Sequence, residues 1–463
     1  MPNDISASDL VRRFIHNRKA CSCGRKHVCR LKSFLVAEDR AETLIPGLLD
    51  RYGASDVHFI SSESDMDRLG SRVFSYLSSL GYRVSSSVFP PESGFICDHV
   101  SAGDLLIHVP AQAQVLIAVG EKTVCDLAKF VSSKNRIPLI FLPTSASSDT
   151  FSMSEAEFTE NDRRIRLALS APEIIIADLS VLQDAPSDKT GAGLAAILAT
   201  LVSLADWKLS SVVSGTYFCP VISEALSSSA MRIIRSVENG ISPRDRELMR
   251  ELISCLVLCG ISADLAGSSS PIRGSESCIA RHAELLLVSE DITGISFETL
   301  RGISSLYAVR LYEYLKRAEL SFEDAASGFN DIDRVYFHKE LFRVFGEDEG
   351  RRILSAFGGS NYYQQDARYR RLALLKDGLG ELLSSVCSDL PSSSRITALL
   401  RSVSVPFSFS DIGLIDEEIS DILIWSKELS QNYGITRLLA DLLLLEQAVS
   451  GFFTKLCRVK VEG

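Results

Sequence analysis

The chain has 463 residues, enough for two or three domains and a substantial buried core. Hydrophobic residues make up 46% and charged residues 23%, which excludes a disordered or collagen-like chain. The formal net charge of −10 argues against a protein that coats nucleic-acid phosphates.

The first twenty residues lack the apolar core of a signal peptide. The longest apolar run, Gly191 to Ala205, is too short to cross a bilayer and ends in Asp206-Trp207. The expectation is a soluble, cytoplasmic protein with no membrane span. Cys21, Cys23, His27 and Cys29 crowd into nine residues and are all zinc-ligand types. Their spacing is not a standard zinc-finger one, and so tight a loop strains to set four ligands tetrahedrally. A metal site and a plain structural turn both stay open. The remaining cysteines of an odd total of eleven read as reduced, packed thiols.

Next comes an alternation of strands and helices. Asp56 to Ile60 reads as a buried strand, Asp65 to Leu80 as a helix and Tyr82 to Phe89 as a strand. Gln114 to Val119 is a strand, Thr123 to Val131 a helix, and Pro138 to Leu142 and Glu173 to Ala177 are further strands. This spacing argues for a parallel sheet covered on both faces. Phe151 to Ser170, with its polar centre Glu160-Asn161-Asp162, looks like a hairpin projecting from the sheet. From Leu179 onward amphipathic helical windows dominate, among them Asp245 to Leu258, Phe297 to Leu320 and Thr436 to Phe452. The expected division is an N-terminal Cys/His segment (1–30), an α/β nucleotide-type domain (31–178) and an all-helical domain (179–463). A ligand would sit in the cleft between the last two.

Three stretches carry more than composition. Val119-Gly120-Glu121-Lys122-Thr123 is a glycine turn from strand to helix, where backbone N–H groups can meet a pyrophosphate. Pro143-Thr144-Ser145-Ala146-Ser147-Ser148-Asp149 is a strand end rich in hydroxyls. The third is a pair, Ser203-Leu204-Ala205-Asp206-Trp207 and Gly267 to Glu276. In this order they resemble sn-glycerol-1-phosphate dehydrogenase of the AraM-like type, in the superfamily of glycerol dehydrogenase, iron-containing alcohol dehydrogenases and dehydroquinate synthase. The resemblance runs from about Cys21 to about Leu445. It implies a Rossmann-like N-terminal domain, a helical C-terminal domain, and a cleft for NAD(P), a phosphorylated substrate and zinc.

Residue by residue, the resemblance weakens at the chemistry. The positions that correspond to the metal ligands are Leu194, Ser277 and Arg301, and a substrate-contacting histidine corresponds to Arg281, with His282 beside it. Leucine offers no donor, serine is a poor zinc ligand and arginine carries a positive charge, so no zinc is expected in the cleft. The glycine loop carries Glu121 and Lys122 where the family has small residues, and Ser62 stands at the ribose-binding aspartate, so NAD(P) binding is expected to be weakened. Gly120, Thr123, Asp126, Lys129, Thr144 and Ser147 remain as cofactor-binding candidates, and Asp149, Arg281 and Arg301 as catalytic ones. Glu276 and Asp149 are candidate counter-ions for the two arginines. Asp206-Trp207 is most simply a packing and hydrogen-bonding element.

Two readings follow. One is a degenerate, zinc-free member that binds a small phosphorylated ligand or a partner. The other is an active dehydrogenase using Arg301 or Arg281 in place of the metal. A homo-oligomer is expected, with no nucleic-acid partner.

Overall fold

Runs of aliphatic and β-branched residues build the centre of a six-stranded parallel sheet in the computed structural model, which describes residues 5–17, 20–91, 95–160, 163–327, 334–357 and 365–459. The strands are β1 (Ser33–Ala37), β2 (Asp56–Ser62), β3 (Arg83–Phe89), β4 (Val115–Gly120), β5 (Leu139–Pro143) and, after a hairpin of β6 (Glu155–Glu160) and β7 (Arg163–Ala168), β8 (Ile174–Asp178). Their order is β1-β8-β5-β4-β2-β3. Every residue of β4, β5 and β8 is buried, which is why these strands are continuously apolar rather than alternating. The edge strand β3 alternates and carries three serines (Ser85, Ser86, Ser87). β1, the other edge, was not anticipated; one buried residue in five gives it little signal. Asn161 and Asp162, the expected tip of the hairpin, lie outside the described residues.

The path of the chain places a site. From β2 it steps outward to β3 and then returns past β2 to β4. The crevice at the carboxyl ends of β2 and β4 is therefore a topological switch point, where open α/β sheets take ligands.

The helices used below are α1 (Ala7–His16), α2 (Ile45–Tyr52), α3 (Ser71–Ser79), α4 (His99–His108), α5 (Lys122–Asn135), α6 (Ser187–Ser214), α7 (Pro220–Glu238), α8 (Arg246–Ala266), α9 (Ser275–Ser289), α10 (Phe297–Leu315), α11 (Asp416–Trp425), α12 (Ile435–Asp441) and α13 (Leu445–Val459). The helix expected from Asp65 opens instead with a wide turn at Met66–Gly70 before α3. The one expected over Thr436 to Phe452 is split, because Leu443 adopts φ +58 between α12 and α13. α6 is long and apolar enough to cross a membrane by length and composition, but 94% of its most apolar window is buried. It is a core helix.

The chain forms two compact units, 1–197 with 220–269 and 198–219 with 270–463, so that residues 179–197 and 220–269 group with the sheet. The reason lies in the loop after β5. Gly193 of α6 sits so close to this loop that a Cβ there would be 1.9 Å from the Ala146 carbonyl oxygen. Ser152 Oγ donates to the Val257 carbonyl of α8 at 2.7 Å, and Asp264 of α8 accepts from Ser154 N and Oγ. The sheet thus takes α7 and α8 into its own unit.

Candidate functional site

In the first unit the glycine turn lies at the switch point. Gly120 ends β4, and a side chain there would meet Val124 Cβ at 2.8 Å and Asp65 Oδ2 at 2.9 Å. Only glycine fits. Asp65 is buried; it accepts from Ser62 Oγ at 2.7 Å and Thr144 Oγ1 at 2.6 Å. Burial raises its pKa, against the pull of those two hydroxyls. This carboxylate escaped the sequence reading, although the spacing Ser62-x-x-Asp65 at a strand end is a helix-cap signal. Thr144 is itself buried, with its N–H on the Gly120 carbonyl at 3.1 Å and its own carbonyl accepting from Arg68 at 2.7 Å.

Glu121 does not pair with Lys122. Its carboxylate takes Lys189 Nζ at 2.5 Å and lies 3.9 Å from Arg68, while Lys122 binds Asp126 at 2.8 Å and Glu157 at 2.9 Å. Lys122 instead joins the network of Asp126 and Lys129. Lys129 is fully buried and donates to Asp126, the Thr150 carbonyl and the Glu155 carbonyl at 2.8–3.2 Å. Asp126 and Lys129 therefore knit α5 to the 150–155 segment. Thr123 is half-buried in the first turn of α5; Ser147 is buried and accepts from Ser145 Oγ at 2.8 Å. Asp149 is fully buried in this unit. Leu194 is 3% exposed, a core side chain with no atom that could hold a cation.

In the second unit, Asp206 organises the start of two helices. Its Oδ2 accepts from Ser275 N at 2.6 Å, at the head of α9. Its Oδ1 accepts from Ile435 N at 3.0 Å, at the head of α12, and from Tyr312 Oη at 2.6 Å. Negative charge at helix N-termini is the favourable arrangement. Burial nonetheless raises its pKa to about 6. The packing reading of Asp206 is the one its geometry matches.

Beside it lies a second buried network. Glu276 Oε1 accepts from Ser203 Oγ at 2.8 Å and Ser277 Oγ at 2.7 Å, and both carboxylate oxygens take Gly274 N. Arg301 Nη2 donates to the Ile272 carbonyl at 2.7 Å and stands 3.6 Å from Glu276 Oε1. Both side chains are fully buried. Glu276, one of the two expected counter-ions, lies beside Arg301. Arg281 is paired along α9 with Glu284 at 2.6 Å. His282 is buried with its ring 4.4 Å from that of Phe345, and burial lowers its pKa to about 4. A neutral core histidine is what this geometry describes.

Fold and motif order define a class, an α/β unit built on a parallel sheet with helical additions. Residues 36–186 match the family model described as iron-containing alcohol dehydrogenase. Within that class the chain resembles glycerol-1-phosphate dehydrogenase. It is 25% identical over 327 residues to the glycerol-1-phosphate dehydrogenase [NAD(P)+] of Bacillus licheniformis, covering 70% of this chain and 81% of that protein. The Methanosarcina barkeri protein of the same name is 34% identical over 165 residues, 36% of this chain and 46% of that one. Among solved structures, sulfoacetaldehyde reductase from Bifidobacterium kashiwanohense in complex with NAD+ superposes with a TM-score of 0.58 at 14% identity, covering 91% of this chain and 98% of that one. An iron-containing alcohol dehydrogenase from Corynebacterium glutamicum gives 0.57 at 16%, over 93% and 97%. The structural likenesses establish the fold.

Proposed function

We propose that this chain keeps the glycerol-1-phosphate dehydrogenase fold without metal-dependent hydride transfer: a zinc-free pseudoenzyme that binds a small phosphorylated ligand, with NAD(P) held weakly. The relatives are dehydrogenases. The observation that carries the departure is Arg301, fully buried against Glu276 and the Ile272 carbonyl at a position where the resemblance expects a metal ligand. The donor set does not fit zinc. Leu194 has no donor atom, Ser277 offers only a hydroxyl, a poor zinc ligand whose proton goes to Glu276, and a guanidinium repels a divalent cation. The same geometry weakens the metal-independent alternative, since Glu276 already balances the charge of Arg301 and Glu284 that of Arg281.

At the glycine turn, Lys189 and Arg68 hold the Glu121 carboxylate beside the backbone that would meet a pyrophosphate. Incubation with NADPH and dihydroxyacetone phosphate, with and without added zinc or nickel, should give no turnover above the blank. Metal-stimulated turnover would overturn the proposal. Calorimetric titration with NADPH should show weak binding that Glu121→Gly tightens, whereas tight binding by the unaltered chain would remove the case against the loop.

A further inference from the structure

Cys21 N–H donates to the Arg25 carbonyl at 2.9 Å and Gly24 N–H to the Cys21 carbonyl at 3.0 Å, which closes a tight turn. Gly24 has φ +85, a conformation that side-chain-bearing residues rarely adopt. Cys21 Sγ, Cys23 Sγ and a His27 ring nitrogen from this turn lie within 4.8 Å of one another and of Cys219 Sγ. Cys29 is not in the group, so the objection that four ligands crowd one short loop falls away.

The histidine is the informative member. It is buried, and its Nδ1 lies 2.9 Å from the Leu265 carbonyl in the last turn of α8. A carbonyl only accepts, so Nδ1 carries the proton and the Nε2 lone pair faces Cys23 Sγ at 3.4 Å. Metal-binding histidines are oriented in this way, one nitrogen on a carbonyl and the other on the ion. Around tetrahedral zinc, with bonds of about 2.3 Å to sulfur and 2.0 Å to nitrogen, a sulfur and a nitrogen ligand stand about 3.5 Å apart. The Cys23–His27 separation is the edge of such a tetrahedron.

We propose that Cys21, Cys23, His27 and Cys219 hold a structural zinc ion, which fastens the segment after α1 to the carboxyl end of α8. That end offers carbonyls without intrahelical partners, one of which His27 takes. The site shares no residue with the positions argued above to have lost their metal. The two readings stand or fall separately.

The test is elemental analysis of the full chain, purified under a phosphine reductant, beside a Cys21→Ser/Cys23→Ser double variant. One zinc per chain is expected in the former and none in the latter. Should the double variant fail to fold, cobalt substitution of the unaltered chain decides: bound cobalt should show the sulfur-to-metal charge-transfer absorption of at least two thiolates. A chain without zinc, or cobalt bound without that absorption, would overturn the proposal. Zinc retained by a folded double variant would also overturn it, and would count against the zinc-free reading of Leu194, Ser277 and Arg301 instead.

Discussion

Replacing Arg301 with methionine isolates the buried pair on which the functional reading rests. At 3.6 Å, with an effective dielectric of about 20, Arg301 and Glu276 attract by about 5 kcal/mol before the cost of desolvating both ions. Arg301→Met leaves Glu276 buried with only Ser203, Ser277 and the Gly274 N–H as donors. Breaking one partner of such a pair costs about 3–5 kcal/mol. For a unit of this size that lowers the melting temperature of its transition by on the order of 10 °C. Differential scanning calorimetry is the assay, with the two compact units resolved as separate transitions where they unfold separately. Arg301→Met/Glu276→Gln should recover at least half of the loss, because Glu276 is then no longer an uncompensated buried charge. If Arg301→Met melts with the unaltered chain, Glu276 is not a buried anion and Arg301 is not its counter-ion.

Three further outcomes are expected. His282 has its pKa lowered to about 4, so below about pH 6.5 the unfolded chain takes up a proton that the folded chain refuses, and stability falls from pH 6.5 toward 4 by up to about 3 kcal/mol. Asp206 acts in the opposite sense, its raised pKa of about 6 costing stability as pH rises from about 4 to 6. His282→Asn should therefore flatten the loss between pH 6.5 and 5 in denaturant titrations; an unchanged slope would show that His282 does not titrate abnormally. Gly193→Ala should destabilise the first unit by roughly 3 kcal/mol or more, since the new methyl meets the Ala146 carbonyl, and a neutral thermal shift would contradict that approach.

Much of this protein could be read from its residues, and for a physical reason. Strands buried on both faces are mostly apolar, so β4, β5 and β8 and the Val57–Ile60 stretch of β2 announced themselves, and with them the parallel sheet. The chemistry of Leu194, Ser277 and Arg301 as poor zinc ligands is a property of side-chain type and needs no coordinates. What depends on three dimensions is who meets whom. Glu121 is balanced by Lys189 from 68 residues away and not by its neighbour Lys122, because burial leaves a carboxylate only the cations the fold delivers. Asp65 reaches the glycine turn because β2 and β4 are adjacent in the sheet although far apart in sequence. Spacing alone could not tell whether the cysteine stretch was a turn or a metal site. The tautomer of His27 bears on that, and a carbonyl 238 residues further along the chain sets it. Local pattern carries the period of an element and the chemistry of a side chain, whereas partners of buried charges are chosen by packing.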